Sequence, residues 1–316
     1  MNQVLPYLIG GLGIFILSIH SLSEILKTTF SEQAKGIIKN FSSNSFVSLL
    51  VGLILTIALD SSSAVIIMVI VFINSETLTF RHSMGLILGA NIGTTFSSKI
   101  IALDISQYSV IVFLIGLTVK IFVKSNKAKN IASAVMYFGM LFFGLFLIEE
   151  SVFPLHQSDT FTEWMAKVED NAIRGTLIGG LITLIIQSSS ATVGMIIILG
   201  KQNILSLTGG LAIMLGAELG TCSDTLLATI GGSRQAIKAG IFHLVFSLIT
   251  IILALLLFKP FVRVVKYISS TDDIGTQIAN GHVLFNVLGV LACLPFLDLL
   301  EKGFNKIIPD KIKRMK

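Results

Sequence analysis

Apolar residues occur along this chain in stretches long enough to cross a lipid bilayer. A helix rises 1.5 Å per residue, so about 20 apolar residues cover a hydrocarbon core of ~30 Å. Such stretches predict membrane spans at 5–22, 83–103, 107–123, 131–148, 204–230, 235–258 and 281–299. Residues 23–45 mix Glu and Lys with apolar positions, which predicts an amphipathic helix at the membrane interface. The expected fold class is an all-α polytopic membrane protein.

Two further apolar stretches, 46–73 and 175–200, are interrupted at their centres by polar residues. The interruptions are Asp60, Ser61, Ser62 and Ser63 in the first stretch, and Gln187, Ser188, Ser189 and Ser190 in the second. The first arm, residues 46–59, would be about 21 Å long as a helix, which is too short to span. An Asp at membrane depth alone costs about 2.5–3.5 kcal/mol. We therefore predict two re-entrant helical hairpins, each with a polar tip buried in protein or facing water.

The spans that follow these hairpins carry glycines and side-chain hydrogen-bonding groups at their centres. The first, 83–103, contains Gly89, Asn91, Gly93, Thr94 and Thr95. The second, 204–230, contains a related group, namely Gly216, Glu218, Gly220, Thr221 and Asp224. Both segments are predicted to be transmembrane helices that break midway.

An internal repeat relates the two halves of the chain. Ser61 and Ser188 are 127 positions apart (188 − 61), and so are Gly89 and Gly216 (216 − 89). Two unrelated motifs in one register indicate duplication. Three predicted crossings in the first copy, an odd number, give the second copy the opposite orientation, as in many secondary transporters. The predicted units are inverted repeat 1 at residues 1–129, and inverted repeat 2 at 130–316 with the final span 281–299 and a basic tail.

Composition and loop charge agree with this class and orient it. The chain is 53% hydrophobic and 13% charged, with a mean hydropathy of +0.87, which is not the profile of a soluble domain. Residues 124–129 and the tail 301–316 are basic, whereas 149–174 hold six acids against two bases. The positive-inside rule then predicts a cytoplasmic C-terminus in a multi-pass protein of the cytoplasmic membrane. Because the basic residues collect in loops, the net charge of +5 does not indicate nucleic acid.

The doubled Gln/Asp-Ser-Ser-Ser-Ala motif, each copy followed by a Gly-Ala-Asn/Glu-x-Gly-Thr segment, resembles the type II sodium-dependent phosphate cotransporter family. The resemblance covers roughly residues 5 to 258 and implies that phosphate and sodium bind where hairpin tips meet the broken helices. The positions that match as substrate-binding residues are Ser61, Ser62, Ser63, Gln187, Ser188, Ser189, Ser190, Asn91, Thr94, Thr95 and Thr221. It looks like a short bacterial-type member lacking the C-terminal soluble regulatory domain.

Three carboxylates depart from the family pattern. Asp60 stands where Gln is usual, Glu218 stands where Asn is expected, and Asp224 is an addition downstream. Together with Gln187, these residues are predicted to couple cations to transport. We place Na⁺ near Asp60, Ser63, Ser190 and Glu218, because oxygen ligands suit a hard cation, while helix starts and serine hydroxyls suit an oxyanion. No cofactor is expected beyond Na⁺ as the coupling ion.

Structural roles remain open for several of these residues. The serines are also suited to bonding back to helix carbonyls. Asp60 has Lys99 as a candidate partner, and Glu218 has Lys99 or Arg234. Asp224 could lie near the aqueous end of its span. The scattered histidines are interpreted as packing or interfacial residues.

The function that we predict is sodium-coupled symport of inorganic phosphate by alternating access. Its main alternative is a transporter of the same fold for another oxyanion or a cation, followed by a non-transporting membrane sensor or scaffold. An enzyme is not expected, because no Gly-x-Gly-Asp signature and no His close to either serine triplet occur in the sequence. The direction of flow stays open, and a homodimer is compatible with the sequence.

Overall fold

The computed structural model describes residues 4–41, 44–103, 108–152 and 171–309. These residues are almost entirely α-helical. In chain order the helices are α1 (Val4–Phe41), α2 (Ser45–Leu59), α3 (Ser62–Asn74), α4 (Phe80–Ala102), α5 (Ser109–Phe122), α6 (Asn126–Val152), α7 (Ala172–Ile186), α8 (Ser189–Lys201), α9 (Leu207–Gly220), α10 (Cys222–Ala228), α11 (Arg234–Leu256), α12 (Phe258–Ser269), α13 (Ile274–Cys293) and α14 (Leu297–Ile307). A 3₁₀ turn, Leu294–Phe296, joins the last two.

Five helical segments in the described part of the chain are long and apolar enough to cross a membrane. They are Pro6–Phe30, Asn126–Ser151, Leu207–Ala228, Arg234–Leu256 and Ile274–Ile307. The helices α2, α3, α5, α7 and α8 are apolar but have only 13 to 15 residues, or about 20–22 Å. The predicted all-α membrane fold is confirmed.

Helix pairs lie where the sequence predicted hairpins. The α2–α3 pair covers Ser45–Asn74 and the α7–α8 pair covers Ala172–Lys201, close to the predicted 46–73 and 175–200. The helices of each pair are joined by a left-handed residue, Asp60 (φ 49°) or Gln187 (φ 57°), a conformation that few non-glycine residues adopt. Ser61 and Ser188 then cap the next helix, accepting a hydrogen bond from the Ala64 and Ala191 amides at 3.2 Å.

The predicted break in segment 83–103 is absent, because α4 is one continuous helix from Phe80 to Ala102. Its polar side chains bond to carbonyls of their own helix: the Asn91 amide donates to Ile87 O, and the Thr94 and Thr95 hydroxyls donate to Asn91 O and Ile92 O. The hydrogen-bonding groups that indicated a break are therefore satisfied within the helix. In the second copy the helix is interrupted at Thr221, between α9 and α10.

The glycines of these segments allow two backbones to touch. A Cβ added at Gly89 would lie 1.9 Å from Leu49 O, and one added at Gly216 would lie 1.9 Å from Thr176 O. Leu49 and Thr176 are themselves 127 positions apart. The α2–α4 and α7–α9 contacts are thus equivalent, residue for residue. Their relative orientation in a membrane, and the division at residue 129, stay predictions.

The first helix differs from its prediction. Residues 23–45 do not begin a separate interfacial helix, since α1 continues through them to Phe41. The helix packs against α6, where Gly11 faces the Gly144 backbone. Residues 153–170 of the acidic segment and 310–316 of the basic tail lie outside the described residues, and the predicted sidedness of the chain stays a prediction.

Candidate functional site

Both hairpin tips border one cavity of ≈ 330 Å³. Its lining includes nine of the predicted site residues at the tips and helices: Ser61, Ser62, Ser63, Gln187, Ser188, Ser189, Ser190, Thr94 and Thr221. Asp60 and Asp224 also line it. Small-molecule sites occupy roughly 300–1,000 Å³, so a cavity at the lower limit suits a small ion better than a bulky organic solute.

The starts of α3 and α8 meet at this cavity. The first N–H groups of a helix have no carbonyl partner inside the helix, and they form the positive end of its dipole. Ser62 and Ser63, like Ser189 and Ser190, stand at these first positions. The cap hydroxyls of Ser61 and Ser188 accept bonds from backbone amides, which leaves each O–H group able to donate. Two positive helix ends with donor groups beside them are the features that helix N-termini use to bind oxyanions.

Two carboxylates bring negative charge to the same cavity. Asp60 accepts a hydrogen bond from Ser97 on α4, and its backbone carbonyl accepts one from Ser23 Oγ at 3.2 Å. Asp224 Oδ2 accepts a bond from Ser63 Oγ at 3.1 Å, which ties the first hairpin tip to α10. The partner considered for Asp60, Lys99, instead donates to Asn280 Oδ1 at 2.6 Å. Asp60 therefore borders the cavity without that ion pair.

Asn91, Thr95 and Glu218, three residues predicted for the site, do not line this cavity. Glu218 is buried, and its Oε1 lies 2.5 Å from His282 Nε2. His282 Nδ1 lies 2.6 Å from Ser98 Oγ, which makes a buried chain from α4 through α13 to α9. The partners considered for Glu218 are used elsewhere: Arg234 donates to Pro309 O at 2.6 Å. The Ser98–His282 contact involves neither serine triplet.

Sequence reasoning did not find the contribution of α1. His20, Ser23 and Lys27 line the same cavity as the hairpin tips, and Ser23 donates to the Asp60 carbonyl at the first tip. Ser23 follows His20 by three residues and Lys27 follows Ser23 by four, so the three side chains share one face of the helix. This spacing was visible in the sequence, but nothing in it indicated which element that face would meet.

An apolar cavity of ≈ 310 Å³ adjoins the polar one, sharing Ile19, Asp60 and Ser190 with it. Its other walls come mainly from α4 and α6, including Phe96 and Phe138. Asp60 thus lies between a polar and an apolar compartment.

Comparison with known proteins identifies the family. The sequence profile described as Na⁺/Pi-cotransporter matches residues 14–150 and 152–279. The chain belongs to this family. The match confirms the predicted resemblance, and its two consecutive segments agree with a duplicated sequence. No solved structure matches the chain significantly.

Three relatives illustrate the range of the similarity. The chain is 28% identical over 271 residues to the protein YqeW of Bacillus subtilis, covering 86% of this chain and 87% of YqeW. It is 22% identical over 307 residues to YjbB of Salmonella typhimurium, a protein provisionally named for inorganic phosphate export, covering 97% of this chain and 56% of YjbB. It is 34% identical over 98 residues to human sodium-dependent phosphate transport protein 2B, covering 30% of this chain and 14% of that protein.

Proposed function

We propose that this protein is a secondary transporter that carries inorganic phosphate together with Na⁺ across the bacterial cytoplasmic membrane by alternating access. The observation that carries the proposal is the meeting of two serine-capped helix starts and two carboxylates around one small cavity. Membership of the Na⁺/Pi-cotransporter family supports the choice of phosphate and sodium.

Phosphate would sit between the helix starts. The Ser61, Ser188 and Ser189 hydroxyls and the backbone amides that follow each cap would donate hydrogen bonds to its oxygens, each a charge-assisted bond stronger than a neutral one. The Gln187 amide adds a further donor on the second tip. This arrangement holds an anion through donors that the fold itself aligns, so binding costs little reorganisation.

Sodium would bind as a co-substrate on the carboxylate side. Asp60, Ser63 and Ser190 all border the cavity and offer the oxygen ligands that a hard cation prefers. An anion beside Asp60 and Asp224 is repelled unless cations arrive with it. Coupling therefore follows from charge: phosphate binds well only when Na⁺ offsets the two carboxylates. The Glu218–His282 pair would act through the helix packing rather than as a ligand.

Labelled phosphate uptake into proteoliposomes tests this function. We expect saturable uptake driven by a Na⁺ gradient and absent when choline replaces Na⁺. Gln187→Ala and Ser189→Ala should reduce uptake at least about tenfold, since each removes a hydrogen bond to a charged ligand. Ser75→Ala is the matched control, because Ser75 is exposed at the far end of α3 and its hydroxyl bonds to Phe72 O. Uptake equal to wild type in both site variants would contradict the assignment of these residues to the phosphate site.

The second candidate is a transporter of the same fold for another small ion, favoured by the two cavity carboxylates. A flux screen of phosphate, sulfate and simple cations, each with and without Na⁺, separates the two candidates. Phosphate flux in either direction excludes a purely sensory or scaffolding role. Reversing the Na⁺ gradient then determines whether the preferred flow is import or export, as the name given to YjbB makes both directions worth measuring.

A further inference from the structure

Lys27 is a cavity-lining residue that belongs to neither repeated motif. It lies on the face of α1 that carries His20 and Ser23, all three bordering the cavity between the hairpin tips. Its side chain is 34% exposed, and its Nζ lies 2.9 Å from Glu24 Oε1, three residues earlier on the same helix. Glu24 is not part of the cavity lining. Lys27 therefore contributes to the cavity wall while its ammonium group is paired with a carboxylate that is not part of the lining.

The ion pair with Glu24 is of a kind that exchanges readily. Glu24 is half-exposed, and ion pairs between solvent-exposed side chains contribute little because water screens both charges and the long side chains lose entropy. Lysine also has a flexible stem and three rotatable donors, so its head group reaches more than one partner without moving the helix. A doubly charged anion in the cavity would compete with Glu24 for Lys27.

The cavity has an electrostatic need for such a group. Asp60 and Asp224 both border it and oppose the entry of an anion. The helix starts supply only partial charges, of about half an elementary charge each. Lys27 supplies a full positive charge on the wall of the same cavity, and lysine is a common phosphate ligand as a point charge.

We propose that Lys27 recruits the anion into the cavity and exchanges Glu24 for the substrate as it enters. This inference rests on the proposed phosphate transport and adds a binding residue to it. Glu24 then has the role of a competitor: it holds Lys27 at the cavity wall when no anion is present, and it weakens anion binding by doing so.

The test is the phosphate concentration dependence of Na⁺-driven uptake. Lys27→Gln should raise KM for phosphate about tenfold, the loss of one charge-assisted contact, while the maximal rate stays within about twofold. Lys27→Arg should keep KM within about threefold of wild type because it restores the charge. Glu24→Gln should lower KM about twofold by removing the competitor.

The same helix offers matched controls. Lys35 and Glu32 form an ion pair of the same spacing, with Nζ 2.7 Å from Oε1, away from the cavity. Lys35→Gln and Glu32→Gln should leave KM at the wild-type value. A wild-type KM in Lys27→Gln, in a protein that transports phosphate, overturns the inference. Lack of phosphate flux in wild type overturns the proposed function instead, so the two failures are distinguishable. A Lys27→Gln protein that fails to reconstitute leaves Glu24→Gln to decide, where an unchanged KM contradicts the competitor role.

Discussion

The two hairpins have the same backbone arrangement, but the carboxylate near the tip lies at a different position in each repeat. Asp60 at the first tip corresponds to Gln187 at the second, and Ser97, which donates to Asp60, corresponds to Asp224. Each repeat thus brings one carboxylate to this pair of positions, but on opposite partners. In the second repeat the acid accepts its bond from Ser63 of the first hairpin. The repeated backbone therefore frames a cavity whose charge distribution is not symmetric.

A second difference lies one turn below the tips. In the second hairpin the Thr183 hydroxyl donates to Thr192 Oγ1 at 2.8 Å. The corresponding residues of the first hairpin are Thr56 and Val65, and Thr56 Oγ1 is buried without a hydrogen-bond partner among the described residues. The two repeats therefore share their glycine contacts and left-handed tip residues but differ in this polar pair.

The largest effect is expected from breaking the shared backbone contact. Gly216→Ala would place a Cβ 1.9 Å from Thr176 O, an overlap that the two helices relieve only by separating. We expect a loss of at least about 3 kcal/mol, or no folded protein, measured by thermal unfolding in detergent and by size-exclusion chromatography. Gly89→Ala should behave alike. Gly180→Ala, whose nearest contact would be an ordinary 3.5 Å, is the control. Equal stability of all three variants would contradict the close backbone contacts, and unequal losses in Gly89→Ala and Gly216→Ala would contradict their equivalence.

Exchanging the carboxylates tests whether their position matters or only their presence. Asp60→Gln should lower Na⁺-driven uptake about tenfold or more, since it removes a charged ligand of the cation. Adding Ser97→Asp gives the first repeat the pattern of the second and should recover most of that loss. Phosphate uptake and its dependence on Na⁺ concentration are measured for the single and the double variant. A double variant as inactive as the single one would mean that Asp60 acts from the tip alone.

Removing the threonine pair of the second hairpin should cost stability without touching the cavity. Thr192→Val leaves the buried Thr183 hydroxyl without its acceptor, as at Thr56, and should lower the free energy of unfolding by about 1–3 kcal/mol. The apparent melting temperature in detergent reports the change. An unchanged melting temperature would show that the Thr183–Thr192 hydrogen bond does not stabilise the protein.

The smallest expected effect is the reverse substitution. Val65→Thr introduces the missing partner for Thr56 at nearly constant volume and should stabilise the protein by up to about 1 kcal/mol. Comparison of its melting temperature with that of wild type measures the gain. A destabilised variant would show that the two hairpins differ in backbone spacing at this level.

Local features of the sequence predicted the hairpins well. A polar tip between two short apolar arms is compatible with few backbone arrangements in a membrane. The bounds of α2–α3 and α7–α8 lie within a few residues of the predicted bounds. The matched register of 127 positions paired Gly89 with Gly216, but the sequence predicted helix breaks around both, whereas they form equivalent helix contacts. The break in α4 was a wrong prediction because side chains such as Thr94 and Thr95 satisfy themselves on their own helix, which composition does not distinguish from an unwound segment.

Contacts between distant elements could not be predicted. Glu218 and His282 lie 64 positions apart in the sequence, and Ser98 lies 184 positions from His282, so no local pattern joins them. Lys27 was assigned to an interfacial helix, whereas α1 continues and brings it to the cavity.

By itself, the sequence determined the membrane class, the duplication and the serine-capped hairpin tips, because each follows from hydrophobic length, register and helix capping within short segments. Only the tertiary structure decided that Asp60 and Asp224 reach the cavity, that Glu218 pairs with His282 away from it, and that Lys27 of α1 lines it. These outcomes depend on how helices that are far apart in the chain pack together. The residue pattern of one segment does not show which distant segment it will contact.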